Sequence, residues 1–106
     1  MFKVFLNKGI WNGESSDEST SCALYEKEIA LPFVPSENIK IRLKASRAIA
    51  PISVYWDAEE EHFVCAMPDE FERFVLSSKV TFEFLKKNAE EKGWVLGEEV
   101  DANSMC

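Results

Sequence analysis

Residues 52–67, ISVYWDAEEEHFVCAM, decide how this sequence is read. Successive side chains of an extended strand point to opposite sides. Ile52, Val54 and Trp56 therefore share one face, and on the return Phe63, Cys65 and Met67 share one face. Pairing Trp56 with Phe63 sets Val54 opposite Cys65 and Ile52 opposite Met67, so both apolar rows fall on the same side of a hairpin. Those six residues are expected to be core. The loop between the rows, residues 57–62, carries Asp57, Glu59, Glu60 and Glu61, so four of its six residues are acidic.

Toward the N-terminus, Phe2, Val4 and Leu6 alternate as a first strand, which Gly9 and the Asn12-Gly13 pair are expected to end. Trp11, between these breaks, is expected to fold over the edge of the core. Residues 14–21, ESSDESTS, contain no apolar side chain and predict a solvated loop. A second strand is expected over residues 23–31, through Tyr25, Ile29 and Leu31. Pro32 and Pro35 then impose an extended corner. Residues 39–44 show the cleanest alternation, with Ile39, Ile41 and Leu43 inward and Lys40, Arg42 and Lys44 outward, and predict another strand.

Toward the C-terminus, residues 71–76 fit two patterns: Phe71, Phe74 and Val75 continue at helical spacing into Ser78, Phe82, Leu85 and Ala89, while Glu72, Phe74 and Leu76 fit a third strand of a meander beside the central hairpin, which is the reading preferred. Ser77 or Ser78 is placed to cap a helix over residues 79–92, whose apolar arc includes Val80, Phe82, Phe84, Leu85 and Ala89. Glu83 and Lys87 stand at i,i+4 in the favourable order. Gly93 falls where a left-handed residue closes a helix, and Trp94 where a side chain packs back on the last turn. The fold class that follows is α+β: an antiparallel sheet of about five or six strands with one C-terminal helix packed on one face. Residues 1–97 are expected to form a single α+β domain and residues 98–106 a flexible acidic tail.

Composition bounds the function. At 106 residues with 46% apolar content, the chain is long and apolar enough for a packed core without metals or disulfides. Cys22, Cys65 and Cys106 are an odd number. With no apolar leader and no long apolar span, they point to a reduced, cytoplasmic setting. The net charge of −7 is uneven: residues 38–56 carry +4, while residues 57–72 carry −7. Such a field opposes nucleic acid and anionic membrane and favours a cationic partner.

No catalytic motif accompanies that charge. His62 and Cys65 are three apart, which on a strand sends them to opposite faces, and acidic neighbours oppose a thiolate. Zinc lacks ligands, since there is one histidine and no CxxC. Calcium lacks the glycine and spacing of its loop, and the four glycines form no phosphate cradle. No catalytic residue, metal site or cofactor is therefore assigned, and the chain is not expected to be an enzyme.

The function expected is a small acidic protein-interaction module, of the inhibitor or immunity-protein kind, whose hairpin region engages a basic surface such as that of a nuclease or toxin. Its candidate protein-binding residues are Tyr55, Asp57, Glu59, Glu60, Glu61, Asp69, Glu70 and Glu72, with Trp56 as a neighbouring aromatic anchor. The alternatives are an assembly subunit pairing through a sheet edge, at residues 2–6 or 71–76, and a small ligand-binding domain or enzyme without a motif.

Overall fold

The computed structural model describes residues 1–43 and 47–101. These are mostly sheet with one short helix, broadly α+β. Their contacts group into two compact units, residues 1–7 with 26–68 and residues 8–25 with 69–106. Strands β1 (Phe2–Trp11) and β2 (Ser21–Leu31) are neighbours, and each contributes to both units.

The first unit contains the hairpin of β3 (Ser53–Asp57) and β4 (His62–Ala66). Its register is the one that the alternation sets, with Trp56 opposite Phe63 and Val54 opposite Cys65. The order is β3-β4-β1, and β4 runs parallel to β1, with Val4 opposite Phe63 and Leu6 opposite Cys65. The sheet is therefore mixed rather than purely antiparallel. A parallel neighbour and an antiparallel one place the same alternate residues on the same face, so alternation alone cannot separate them. Val4, Leu6, Cys65 and Met67 are fully or almost fully buried.

The expected inner face is only partly core. Cys65 and Met67 are buried, but Ile52 is 61% and Trp56 51% exposed. The reason is position: β3 ends the strand order, so an apolar row that would be covered in a central strand is left at a rim. Conversely Val64, on the other face of β4, is buried. Residues 39–44 do not form the strand their pattern predicts. Ile41 is buried and exchanges two backbone bonds with Ile49, of 2.8 and 3.0 Å, as an isolated antiparallel bridge. Alternation says which side chains seek burial, not whether a strand is present to pair with the backbone. Lys44 lies outside the described residues.

In the second unit, β1 continues through Gly9 to Trp11 instead of ending at Gly9. Glycine is needed there for proximity: a Cβ would stand 2.9 Å from Cys22 Sγ. A parallel strand, β5 (Glu70–Phe71), pairs with β1 by setting Trp11 opposite Phe71, and their rings stack at 5.9 Å. Trp11 and Cys22 form the centre of a cluster that takes in Leu24, Phe71 and Val100.

The expected strand over residues 71–76 is split. Its second half, β6 (Arg73–Val75), pairs with β7 (Ser78–Val80) in a separate two-stranded hairpin. Leu76 and Ser77 form its turn with φ of 48° and 70°. Two successive positive φ values give the turn whose twist matches a hairpin.

Because β7 uses Ser78, the helix starts later than Ser77 or Ser78 would allow. It is α1 (Phe82–Glu91), with Thr81 as N-cap: Phe84 N–H donates to Thr81 Oγ1 at 3.2 Å. Leu85 and Ala89 are its buried residues, while Phe84 is exposed. Glu83 pairs with Lys86, at 3.6 Å. The helix ends where the sequence places it. Gly93 has φ 89°, its N–H donates to Glu90 O at 3.2 Å, and Trp94 N–H donates to Ala89 O at 3.0 Å. This is the paired 6→1 and 5→2 closure of a glycine-capped helix, and it carries Trp94 back into the core.

Strand β8 (Val95–Asp101) follows, next to β2 in the strand order. Residues 98–101 are thus strand and not tail, held in part by the ion pair between Glu99 and Lys86 of the helix. Residues 102–106 lie outside the described residues.

Candidate interaction surface

In the first unit the acidic tip is a built turn. Asp57 Oδ1 accepts the N–H groups of Glu59 and Glu60, each at 3.1 Å, and Asp57 O accepts Glu61 N–H at 2.8 Å. Glu61 takes φ 58° to close the loop. A short carboxylate at the first position of a turn replaces backbone partners that the loop lacks. Asp57 is therefore occupied with shaping the tip. Glu59, Glu60 and Glu61 project from it and are exposed.

Beside the tip is a row of rings. Trp56 meets Phe63 edge-on at 4.9 Å and 66°, and Phe63 meets Phe2 edge-on at 5.9 Å and 73°. The row crosses β3, β4 and β1, and both its ends, Trp56 and Phe2, are exposed. Edge-to-face contacts fix ring orientation, so the exposed aromatic area is presented with little further entropy to lose. Tyr55, on the opposite face of β3, is 55% exposed. Being terminal in the order, β3 also offers an outer edge with backbone groups that no strand among the described residues pairs. Of the two edges expected from the sequence, residues 2–6 lie in β1, which has neighbours on both sides, while residues 73–75 lie in β6, which pairs only with β7 among the described residues.

The eight candidate residues thus divide. Tyr55, Asp57, Glu59, Glu60 and Glu61 belong to the first unit, while Asp69, Glu70 and Glu72 belong to the second and have internal partners. Asp69 accepts from Gly9 N–H at 2.8 Å and from Trp11 Nε1 at 3.0 Å. Glu70 pairs with Lys8 at 2.8 Å, and the Lys8 ammonium also sits 4.4 Å from the centre of the Trp94 ring. Glu72 accepts Phe82 N–H at 2.7 Å at the start of the helix and meets Lys79 at 3.5 Å. Phe2 and Phe63 were not among the expected binding residues. Their alternation reads as core, yet the row is open at both ends, with Phe2 exposed at the start of β1 and Trp56 exposed on the terminal strand β3.

Burial, reinforced by the charge of Asp69, pushes the Cys22 thiol up to about 11, and burial pushes the Cys65 thiol up as well. The His62 ring packs on Phe5 at 4.4 Å, with Nδ1 3.3 Å from Phe63 O. The Tyr25 hydroxyl is buried without a hydrogen-bond partner, and burial followed by the charge of Glu90 raises its pKa. Among the described residues no group of three or more His, Cys, Asp or Glu could hold a metal ion, and no helix is long and apolar enough to cross a membrane.

Comparison with protein-family models, curated proteins and solved structures found no significant match.

Proposed function

We infer that the protein is an interaction module that engages a basic protein surface through the β3–β4 hairpin, in the manner of a small inhibitor or immunity protein, and is not an enzyme. The observation that carries this reading is the combination on one hairpin of a partly open aromatic row, from Trp56 through Phe63 to Phe2, with three outward carboxylates, Glu59, Glu60 and Glu61. Aromatic anchors supply most of the affinity of a protein interface, while charges around them speed encounter and select the partner. A nuclease or toxin with a cationic active site has the matching chemistry.

The test uses the tagged protein to capture partners from lysate at low and high salt. Beside it run a Glu59→Gln, Glu60→Gln, Glu61→Gln variant and a Trp56→Ala variant, with Asp57 left in place to keep the turn. A basic protein captured at low salt, weakened by the first variant and lost with the second, is the expected result. Capture unchanged by both variants overturns the reading.

A further inference from the structure

The β6–β7 hairpin explains little of the fold that contains it. Phe74 is 65% and Leu76 96% exposed, and Val75 is exposed beside them. Leu76 also sits at φ 48°. A branched side chain in the left-handed region costs about 1–2 kcal/mol, and asparagine or glycine is the residue such a turn favours. The chain thus keeps a strained leucine where it covers nothing of its own core. Three exposed apolar residues in succession, 74–76, are what a contact needs and what solubility opposes.

The charges of this hairpin are the reverse of those at the β3–β4 tip. Residues 73–80 carry Arg73 and Lys79 and no acid, whereas residues 57–61 carry four acids and no cation. Arg73 is exposed and donates to Phe71 O at 3.4 Å, and Lys79 shares Glu72 at 3.5 Å while remaining half exposed. Both guanidinium and ammonium can therefore face a partner. Backbone chemistry matches too. β6 and β7 pair only with each other among the described residues, and β3 has an outer edge to fill. Strand addition supplies main-chain bonds, and alternate side chains then supply selectivity.

We propose that the β6–β7 hairpin of one copy docks on the β3 edge of a second copy of this chain. Phe74 would lie against Trp56 and Ile52 on one face of β3 and Val75 against Tyr55 on the other, while Arg73 and Lys79, on opposite faces of the β6–β7 hairpin, would approach Glu59, Glu60 and Glu61 from its two sides. The proposal rests on the reading of the β3–β4 hairpin as a surface for a cationic partner, and it names that partner as the chain itself. Each copy carries both halves of the contact, so association is head to tail.

Sedimentation velocity of the full chain over a range of concentration tests it. The expected mass rises with concentration at low salt and falls toward the monomer at high salt. Leu76→Asp should weaken self-association by about tenfold or more. Aspartate tolerates the left-handed turn better than leucine, so loss of folding does not explain that result. A chain with Glu59→Lys, Glu60→Lys and Glu61→Lys, and another with Arg73→Glu and Lys79→Glu, should each stay monomeric alone and associate when mixed. Wild-type protein that is monomeric throughout overturns self-docking, as does failure of the mixed pair to associate when circular dichroism shows both folded. If the monomeric protein still captures a basic partner that the Glu59→Gln, Glu60→Gln, Glu61→Gln variant loses, the binding surface stands and only its assignment to a second copy falls.

Discussion

Asp69 is an acid that holds the fold, and Asp69→Ala is the perturbation that shows it. Its carboxylate accepts the Gly9 N–H at 2.8 Å through one oxygen and the Trp11 Nε1–H at 3.0 Å through the other. Gly9 and Trp11 are both buried, so alanine leaves two donors without an acceptor. A hydrogen bond to a charged group is worth about 1.5–3 kcal/mol, and an orphaned buried donor costs about 1–3 kcal/mol. Asp69 itself is exposed, which lets water replace part of what is lost. A net loss of about 2–4 kcal/mol is expected.

Urea unfolding followed by tryptophan fluorescence measures it, as a midpoint about 1–2 M lower with the slope unchanged. Asp69→Asn retains one acceptor oxygen and should lose roughly half as much. In a Trp11→Phe background, which removes one donor, Asp69→Ala should cost less than in the wild type, the difference being the coupling between the two side chains. Asp69→Ala with stability within about 0.5 kcal/mol of wild type and weakened partner binding would refute the structural assignment and return Asp69 to the interface.

The remaining two expectations concern the helix end and the thiols. Gly93→Ala forces a side chain onto φ 89° and should destabilise by about 1–2 kcal/mol in the same urea assay, without altering partner capture. In a Cys106→Ser variant, Cys22 and Cys65 should react with a disulfide reagent at pH 8 far more slowly than a free thiol. A pKa near 11 leaves Cys22 about one part in a thousand thiolate there. The sign for stability follows from the same shift. The folded state holds this proton more tightly than the unfolded state, so the contribution is intact below about 9 and is lost as pH rises toward 11.

The β3–β4 register was legible in advance because two alternating rows joined by a short loop admit few pairings that keep both on one side. The helix end was legible because glycine is favoured where φ must be positive. The helix start was not. Ser77, Ser78 and Thr81 all carry a hydroxyl that can cap, and only the β6–β7 hairpin, by using Ser78, passes the role to Thr81. Burial of the hairpin face depended likewise on something local pattern does not contain, namely that β3 ends the strand order among the described residues. The acids make the point most directly. Glu59, Glu60, Asp69 and Glu72 carry the same charge, yet the first two are exposed at the tip while Asp69 holds Gly9 and Trp11 and Glu72 holds Phe82 and Lys79.

By itself the sequence determined the pairing of the central hairpin, the cap that ends the helix and the run of carboxylates between residues 57 and 72, because each depends on side chains a few positions apart. Tertiary structure alone decided that β4 and β5 run parallel to β1, that Trp56 lies at a rim, and which carboxylates take internal partners. Those outcomes depend on which distant segment comes to lie alongside. An alternating strand accepts a neighbour in either direction, and a carboxylate accepts whichever donor the fold brings to it.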